Sequence, residues 1–164
     1  MNRQHSILIA ILVVLSCGVS ADQPPPKTTP KPGRHTMLTM AEMKWIAAPN
    51  YLPRGAQIAS LHGSMERAGM FVVQIKFPAN YRIPAHRHSA DEHITVLSGS
   101  VQFGMGEKED GQGLRTIDAG GYALMPANEV HYLRTSGEAV VQRTAVGPFR
   151  TTYVRAGDDP RRIK

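Results

Sequence analysis

The sequence predicts an all-β fold, a sandwich or barrel, and three of its features carry that expectation. Short apolar or alternating runs recur along residues 57–154: QIASL, MFVVQIKF, HITVLSG, SVQFGMG, LRTID, YALMP, VHYLRT, AVVQRTAV and FRTTYV. Gly, Asn, Asp, Pro and Ser punctuate them at roughly eight- to twelve-residue intervals, the spacing of consecutive strands in such folds. No window sustains a period of about 3.6, so long helices are not expected. At 164 residues the chain suits one domain with a proper core rather than two.

Taken in order, residues 1–21 read as a secretory signal peptide. Arg3 lies in a short polar start, an unbroken apolar run extends from Ile7 to Leu15, and small residues end at Val19-Ser20-Ala21. Cleavage is expected after Ala21. The run is too short to span a bilayer core, which needs about 20 apolar residues, so the mature chain should have no transmembrane span. Cys17, preceded by Val-Leu-Ser and followed by Gly18, offers an alternative: it resembles a bacterial lipoprotein box, with Leu15 where a small residue is usual. Lipidation there would anchor the mature chain. Either route places the protein outside the cytoplasm, secreted or periplasmic. Cleavage after Ala21 would leave no cysteine, and hence neither a disulfide nor a thiol ligand.

Residues 22–36 (DQPPPKTTPKPGRHT) hold almost nothing to bury and read as an extended, disordered linker. The folded domain is expected over 37–164, with its motif-bearing core at 57–154. TMAEMKWIA suits a short helical turn docking Trp45 and Ile46, before two prolines in APNYLPRG force a loop. GEKEDGQG (106–113) reads as a polar hairpin tip, DAGGY (118–122) as a tight turn, and GDDPRRIK as a solvent-facing tail.

The formal charge of +6 falls to +5 if Arg3 leaves with the leader. The basic residues are scattered, and only 6% of residues are aromatic. Nucleic-acid binding calls for a clustered basic face, so it is not expected.

The chemistry concentrates in PAHRHSADEHITVLSGS. His86, His88 and His93, with Asp91 and Glu92, fall within eight positions. On a helix, residues i and i+2 diverge. On a strand they share a face about 7 Å apart, so His86 and His88 can converge on one ion. An extended or parity-preserving link places Glu92 on the same face, with Ile94 and Val96 following in phase. Asp91 and His93 have opposite parity and read as outer or surface groups. Taken alone, the stretch leaves metal ligands and surface decoration both open. A further histidine downstream, His131 in GGYALMPANEVHYLRT, favours the metal. His35 in the linker and His62 in a turn are assigned nothing.

These residues resemble the cupin superfamily. Its first motif is Gly, five residues, His-x-His, three or four residues, Glu, six residues, Gly; His86, His88, Glu92 and Gly99 fit it, with Asn80 at the leading glycine. Its second is Gly, five residues, Pro-x-Gly, two residues, His, three residues, Asn; Gly120, Pro126 and His131 fit, while Asn128 and Thr135 replace the second glycine and the asparagine. Asn tolerates left-handed backbone, which makes Asn128 a mild change. The wider run is similar to secreted single-domain cupins, and more distantly to ChrR-type cupins and cupin dioxygenases acting on aromatic ketones.

The resemblance implies a single-domain double-stranded β-helix, or jelly roll, holding one divalent metal on His86, His88, Glu92 and His131. Such ligands suit Fe(II), Mn, Ni or Zn, and iron is the favoured expectation. Two open octahedral positions would admit O₂ or a chelating substrate, as in a dioxygenase-like oxidoreductase on a small enolisable or hydroxylated carbonyl compound. The alternative is a non-catalytic module that binds metal or a small ligand. Tyr81, Gln102, Met125, Tyr132 and Gln142 lie on strands near the expected pocket. Tyr81 and Met125 are preferred as substrate contacts because they flank the motif ends. A homodimer is expected from the habit of the fold.

Overall fold

A computed structural model describes residues 35–162. The expected signal peptide, Cys17 and the expected linker as far as residue 34 lie outside the described residues. No described helix is long and apolar enough to cross a membrane.

Among the described residues eleven strands follow one another: β1 (Ile46–Ala47), β2 (Gln57–His62), β3 (Gly69–Phe77), β4 (Arg82–His88), β5 (Glu92–Ser98), β6 (Ser100–Met105), β7 (Arg115–Asp118), β8 (Tyr122–Met125), β9 (His131–Arg134), β10 (Ala139–Gly147) and β11 (Thr151–Tyr153). They form a six-stranded sheet in the order β1-β2-β3-β10-β5-β8 and a five-stranded sheet in the order β11-β4-β9-β6-β7. Every described pairing is antiparallel. The jelly-roll expectation therefore holds. The sheets face each other over Phe71, Ile75, Phe77, Ile83, Val96, Val101 and Val141, none more than 1% exposed. That face-to-face burial is the main driving force for a fold of this kind.

Helical content among the described residues is limited to two single 3-10 turns, Met40–Glu42 and Ala156–Asp158. The expected helical turn before Trp45 is thus the first of these. Ile46 does not dock as expected: it lies in the two-residue strand β1 and is 63% exposed. Trp45 is half-buried, with the ammonium of Lys76 4.5 Å from its ring centroid. His62 closes β2 rather than lying in a turn.

Two motif substitutions explain themselves. Asn80 and Asn128 have φ of 57° and 66°, and they are the only described non-glycine residues with positive φ. Asn is the residue other than glycine best suited to that region. Thr135 also does work of its own: its hydroxyl accepts from the Tyr81 backbone N–H at 3.1 Å and donates to the Pro78 carbonyl at 2.8 Å. It thereby ties the turn before β4 to the end of β9. Gly99 turns β5 into β6 with φ of 70°, and a Cβ there would meet the Glu138 carbonyl oxygen at 2.2 Å.

GEKEDGQG, in the β6–β7 connection, is more than a polar tip. The pairing of β4 with β9 is broken by an irregularity between Ile83 and His86, at Pro84 and Ala85. Proline has no N–H, and the Ala85 N–H donates to Glu109 at 3.0 Å instead. Arg82 grips the same carboxylate through Nε at 2.8 Å and Nη2 at 2.6 Å, while Arg134 donates to the Glu109 carbonyl at 2.6 Å. The loop straps β4 and β9 beside His86. Glu109→Ala strands a buried N–H, so denaturant unfolding should show a loss of about 1–3 kcal/mol. The exposed neighbour Lys108→Ala should stay within about 0.5 kcal/mol.

Candidate metal centre

Two facing sheets deliver the predicted side chains to one place: Glu92 does not continue the β4 face, as an extended link would have it, but opens β5 in the opposite sheet. β4 contributes His86 and His88, β9 contributes His131, and β5 begins with Glu92; all four are at most 2% exposed. His86 pairs directly with His131 across the β4–β9 ladder. One ring nitrogen from each of His86, His88 and His131 lies within 4.8 Å of the others. Oε2 of Glu92 is 3.4 Å from His88 Nε2 and 3.5 Å from His131 Nε2, so it borders two of the three imidazoles.

The hydrogen bonds fix which nitrogens face inward. Nδ1 of His86 donates to the Pro84 carbonyl at 2.7 Å, and Nδ1 of His131 to the Glu129 carbonyl at 3.1 Å. A carbonyl only accepts, so both Nδ1 atoms carry the proton, which in the neutral ring leaves Nε2 with the lone pair. Nδ1 of His88 meets the Thr151 hydroxyl at 3.2 Å, and its Nε2 has no hydrogen-bond partner among the described residues. Burial, reinforced by the neighbouring imidazoles, pushes His86 well below the ordinary value of 6.5, and burial likewise lowers His88. Neutral imidazoles with converging lone pairs are what a divalent ion binds, so the residues present fit a metal.

The residue that sequence reasoning missed is Arg143. It lies on β10, opposite Ile94 of β5, one diagonal step from Glu92, and is 3% exposed. Diagonal neighbours on paired strands come within reach of long side chains. Nε of Arg143 contacts Oε1 of Glu92 as an ion pair, although neither atom meets hydrogen-bond geometry. Burial alone would raise the Glu92 carboxyl. The Arg143 guanidinium foremost, with His88 and His131, outweighs burial and holds it well below the usual carboxylate range. Glu92 is therefore an ionised carboxylate with Oε1 turned to a cation and Oε2 to the imidazoles.

Aromatic rings close the surroundings. Phe149 stacks on His88 with centroids 4.5 Å apart, and Tyr153 lies 5.7 Å from His86. The cavity shared by His86, Glu92, His131 and Arg143 measures only about 10 Å³, room for about one water molecule.

The other candidates are placed as follows. Tyr81 is 6% exposed, stacks on Phe77 and donates its hydroxyl to the Pro53 carbonyl. Met125 is 5% exposed and packs in the core, with its backbone opposite Glu92. Neither lines the small cavity. Tyr132 is fully buried against Gly104, where a Cβ would meet its ring at 2.0 Å. Gln102 reaches toward Thr116, and Gln142 pairs with Gln74 of β3. Asp91 and His93 are exposed, as their parity requires; Asp91 accepts from the Ala127 N–H and His93 meets the Tyr122 hydroxyl at 2.7 Å.

Residues 33–150 match the family described as the ChrR cupin-like domain. No curated protein matches the chain. Among solved structures, the polyketide cyclase RemF of Streptomyces resistomycificus is 16% identical, covering 77% of this chain and 90% of its own, with a TM-score of 0.61. A candidate acetylacetone dioxygenase of Methylibium petroleiphilum PM1 is 21% identical, covering 79% and 88%, with a TM-score of 0.60. An RmlC-like cupin of Shewanella frigidimarina is 12% identical, covering 69% and 91%, with a TM-score of 0.54. At these identities the likeness is one of fold.

Two outcomes follow for the metal-free protein. His86 and His88 have folded values below 6.5, so the unfolded chain takes up protons first as pH falls. Stability should be full above about pH 6.5 and decline below it, by up to about 1.4 kcal/mol per pH unit for each histidine. The Glu92 contribution has the same sign and is lost only as pH falls below its ordinary value of 4.5. Urea unfolding at several pH values measures both. Glu92→Gln strands the guanidinium and should cost about 3–5 kcal/mol, most of it recovered by adding Arg143→Met.

Proposed function

The chain belongs to the family of ChrR cupin-like domains, and from that premise we propose a mononuclear-metal, dioxygenase-like enzyme acting on a small enolisable or hydroxylated carbonyl compound. The observation that carries the reading is the convergence of three buried imidazoles beside one ionised carboxylate. His86, His88 and His131 would hold the ion through Nε2, with Glu92 Oε2 as the fourth ligand, and Fe(II) is favoured over Mn, Ni or Zn. When bound, such an ion supplies Lewis acidity and, if redox-active, electrons for O₂ chemistry. The chain's own contribution is placement. The Pro84 and Glu129 carbonyls orient His86 and His131, Arg143 keeps Glu92 ionised, and the apolar floor of Phe77, Ile83 and Phe103 excludes water.

One observation favours a second reading, a module that binds metal or a small ligand without turnover. The cavity of about 10 Å³ has no room for a substrate unless a side chain moves. The apolar run Ile7–Leu15 supports an extracytoplasmic location for either reading. Met70, Leu97, Tyr122, Leu124 and Val146 stand 41–57% exposed on strands of the six-stranded sheet, which supports pairing with a second copy.

Metal analysis of protein purified without added metal should find about one divalent ion per chain. His86→Ala and His131→Ala should each lose most of it; equal content in all three would overturn the metal reading. Iron-loaded protein that consumes O₂ with an enolisable carbonyl compound would separate the enzyme from the binder.

A further inference from the structure

The interior around the histidines has an unbalanced charge count. At the histidines, Glu92 and Arg143 are the buried side chains among the described residues that carry full charge, and they offset each other, while the buried Glu109 carboxylate beside His86 is taken by Arg82. A divalent ion on the imidazoles would add two positive charges with no unpaired buried carboxylate to meet them. Uncompensated charge in an apolar interior is costly, so such a site calls for an anion.

Arg143 supplies a place for one. Its Nε faces Glu92, while Nη1 is buried with no hydrogen-bond partner among the described residues. A guanidinium is a fork of five donors that can serve two oxygens on different edges at once. The same side chain lines the cavity with His86, Glu92 and His131, so its donors and the imidazole lone pairs border one space.

A ligand larger than one water must displace a side chain, and Phe149, just outside the cavity lining, is the ring that packs on both His88 and Arg143. It is half-buried between exposed Pro148 and Arg150, with its ring 4.5 Å from that of His88 and 5.5 Å from the Arg143 guanidinium carbon. A planar oxygen ligand moving into the ring's place would lie against the same imidazole and guanidinium.

We propose that Arg143 is the anion-recognition residue of this site: its ligand is a small oxyanion, a carboxylate or an enolate, whose charge is met by the free edge of the guanidinium while Nε stays with Glu92. This rests on the metal reading above and narrows it, because a neutral carbonyl compound could accept from Nη1 but would leave the excess charge unmet.

Lactate and lactamide are the probes, an α-hydroxy carboxylate and its neutral counterpart of similar shape. Wild-type, Arg143→Gln and Arg143→Lys proteins are loaded with zinc, which removes redox chemistry, and titrated calorimetrically after their metal content is measured. Wild-type protein should bind lactate well above lactamide. Arg143→Gln at equal zinc content should weaken lactate by about ten- to a hundredfold and leave lactamide unchanged. Phe149→Ala should bind lactate more tightly than wild type. If Arg143→Gln does not fold, Arg143→Lys decides: one ammonium cannot serve Glu92 and the ligand together, so lactate should bind more weakly than to wild type. Failure of wild-type protein to take up zinc overturns the metal reading and this inference with it. Zinc uptake with lactate and lactamide bound alike, or with lactate affinity unchanged in the Arg143 variants, overturns this inference alone.

Discussion

A carboxylate 1% exposed keeps its charge only where something nearby makes ionisation cheaper than protonation, and for Glu92 that something is Arg143. Burial pushes the carboxyl toward neutrality; the guanidinium, assisted by His88 and His131, pulls the other way and wins. Much of the interior follows from this one pair. With Glu92 charged and satisfied on one oxygen, its other oxygen is free to face the imidazoles. With the cation already matched, His86 and His88 stay neutral, as burial foremost requires. Without Arg143, burial would favour a neutral carboxyl facing the imidazoles, a weaker acceptor than the carboxylate.

Two kinds of positioning meet in the site. The tautomers of His86 and His131 are set locally, each by the carbonyl two residues back on its own chain segment, Pro84 and Glu129. Charge compensation is not local: Glu92 and Arg143 approach because β5 and β10 pair in the register that makes them diagonal neighbours. Glu109 belongs to a third, outer layer. It satisfies the N–H that the β4 irregularity would leave bare, immediately before His86. An irregular strand at a ligand position thus carries its own support.

His86 and His88 were legible because a strand repeats every two residues; Glu92 and His131 were legible from the motif spacing, and Glu92 reaches the histidines from the facing sheet rather than from the same strand face. The Asn residues at glycine positions were legible for a similar reason, since few residues accept positive φ. Arg143 was not. β10 carries apolar residues on both parities, with Val140 and Val146 outside and Val141 and Ala145 inside, so alternation did not say which face position 143 takes. The only available signal was its phase with Ala139, Val141 and Ala145, and an arginine in that phase reads by default as evidence for the opposite face. Glu109 was hidden for another reason. Its burial depends on an irregularity in a strand more than twenty residues away, which a polar loop does not announce. Ile46 shows the converse error, an apolar residue assigned to the core by type alone.

The division of labour between the sheets sets what binding would do to the protein. All three histidines lie on β4 and β9 of the five-stranded sheet, whereas Glu92 and Arg143 lie on β5 and β10 of the six-stranded sheet. An ion held by both groups would join the sheets across the interior at one end of the apolar layer. Any species that binds only when the sheets are closed adds its binding free energy to folding. An anion taken by Arg143 would extend that link, since the guanidinium and the imidazoles belong to opposite sheets. The buried charges, which cost stability in the absence of ligands, are therefore also the means by which ligands would return it.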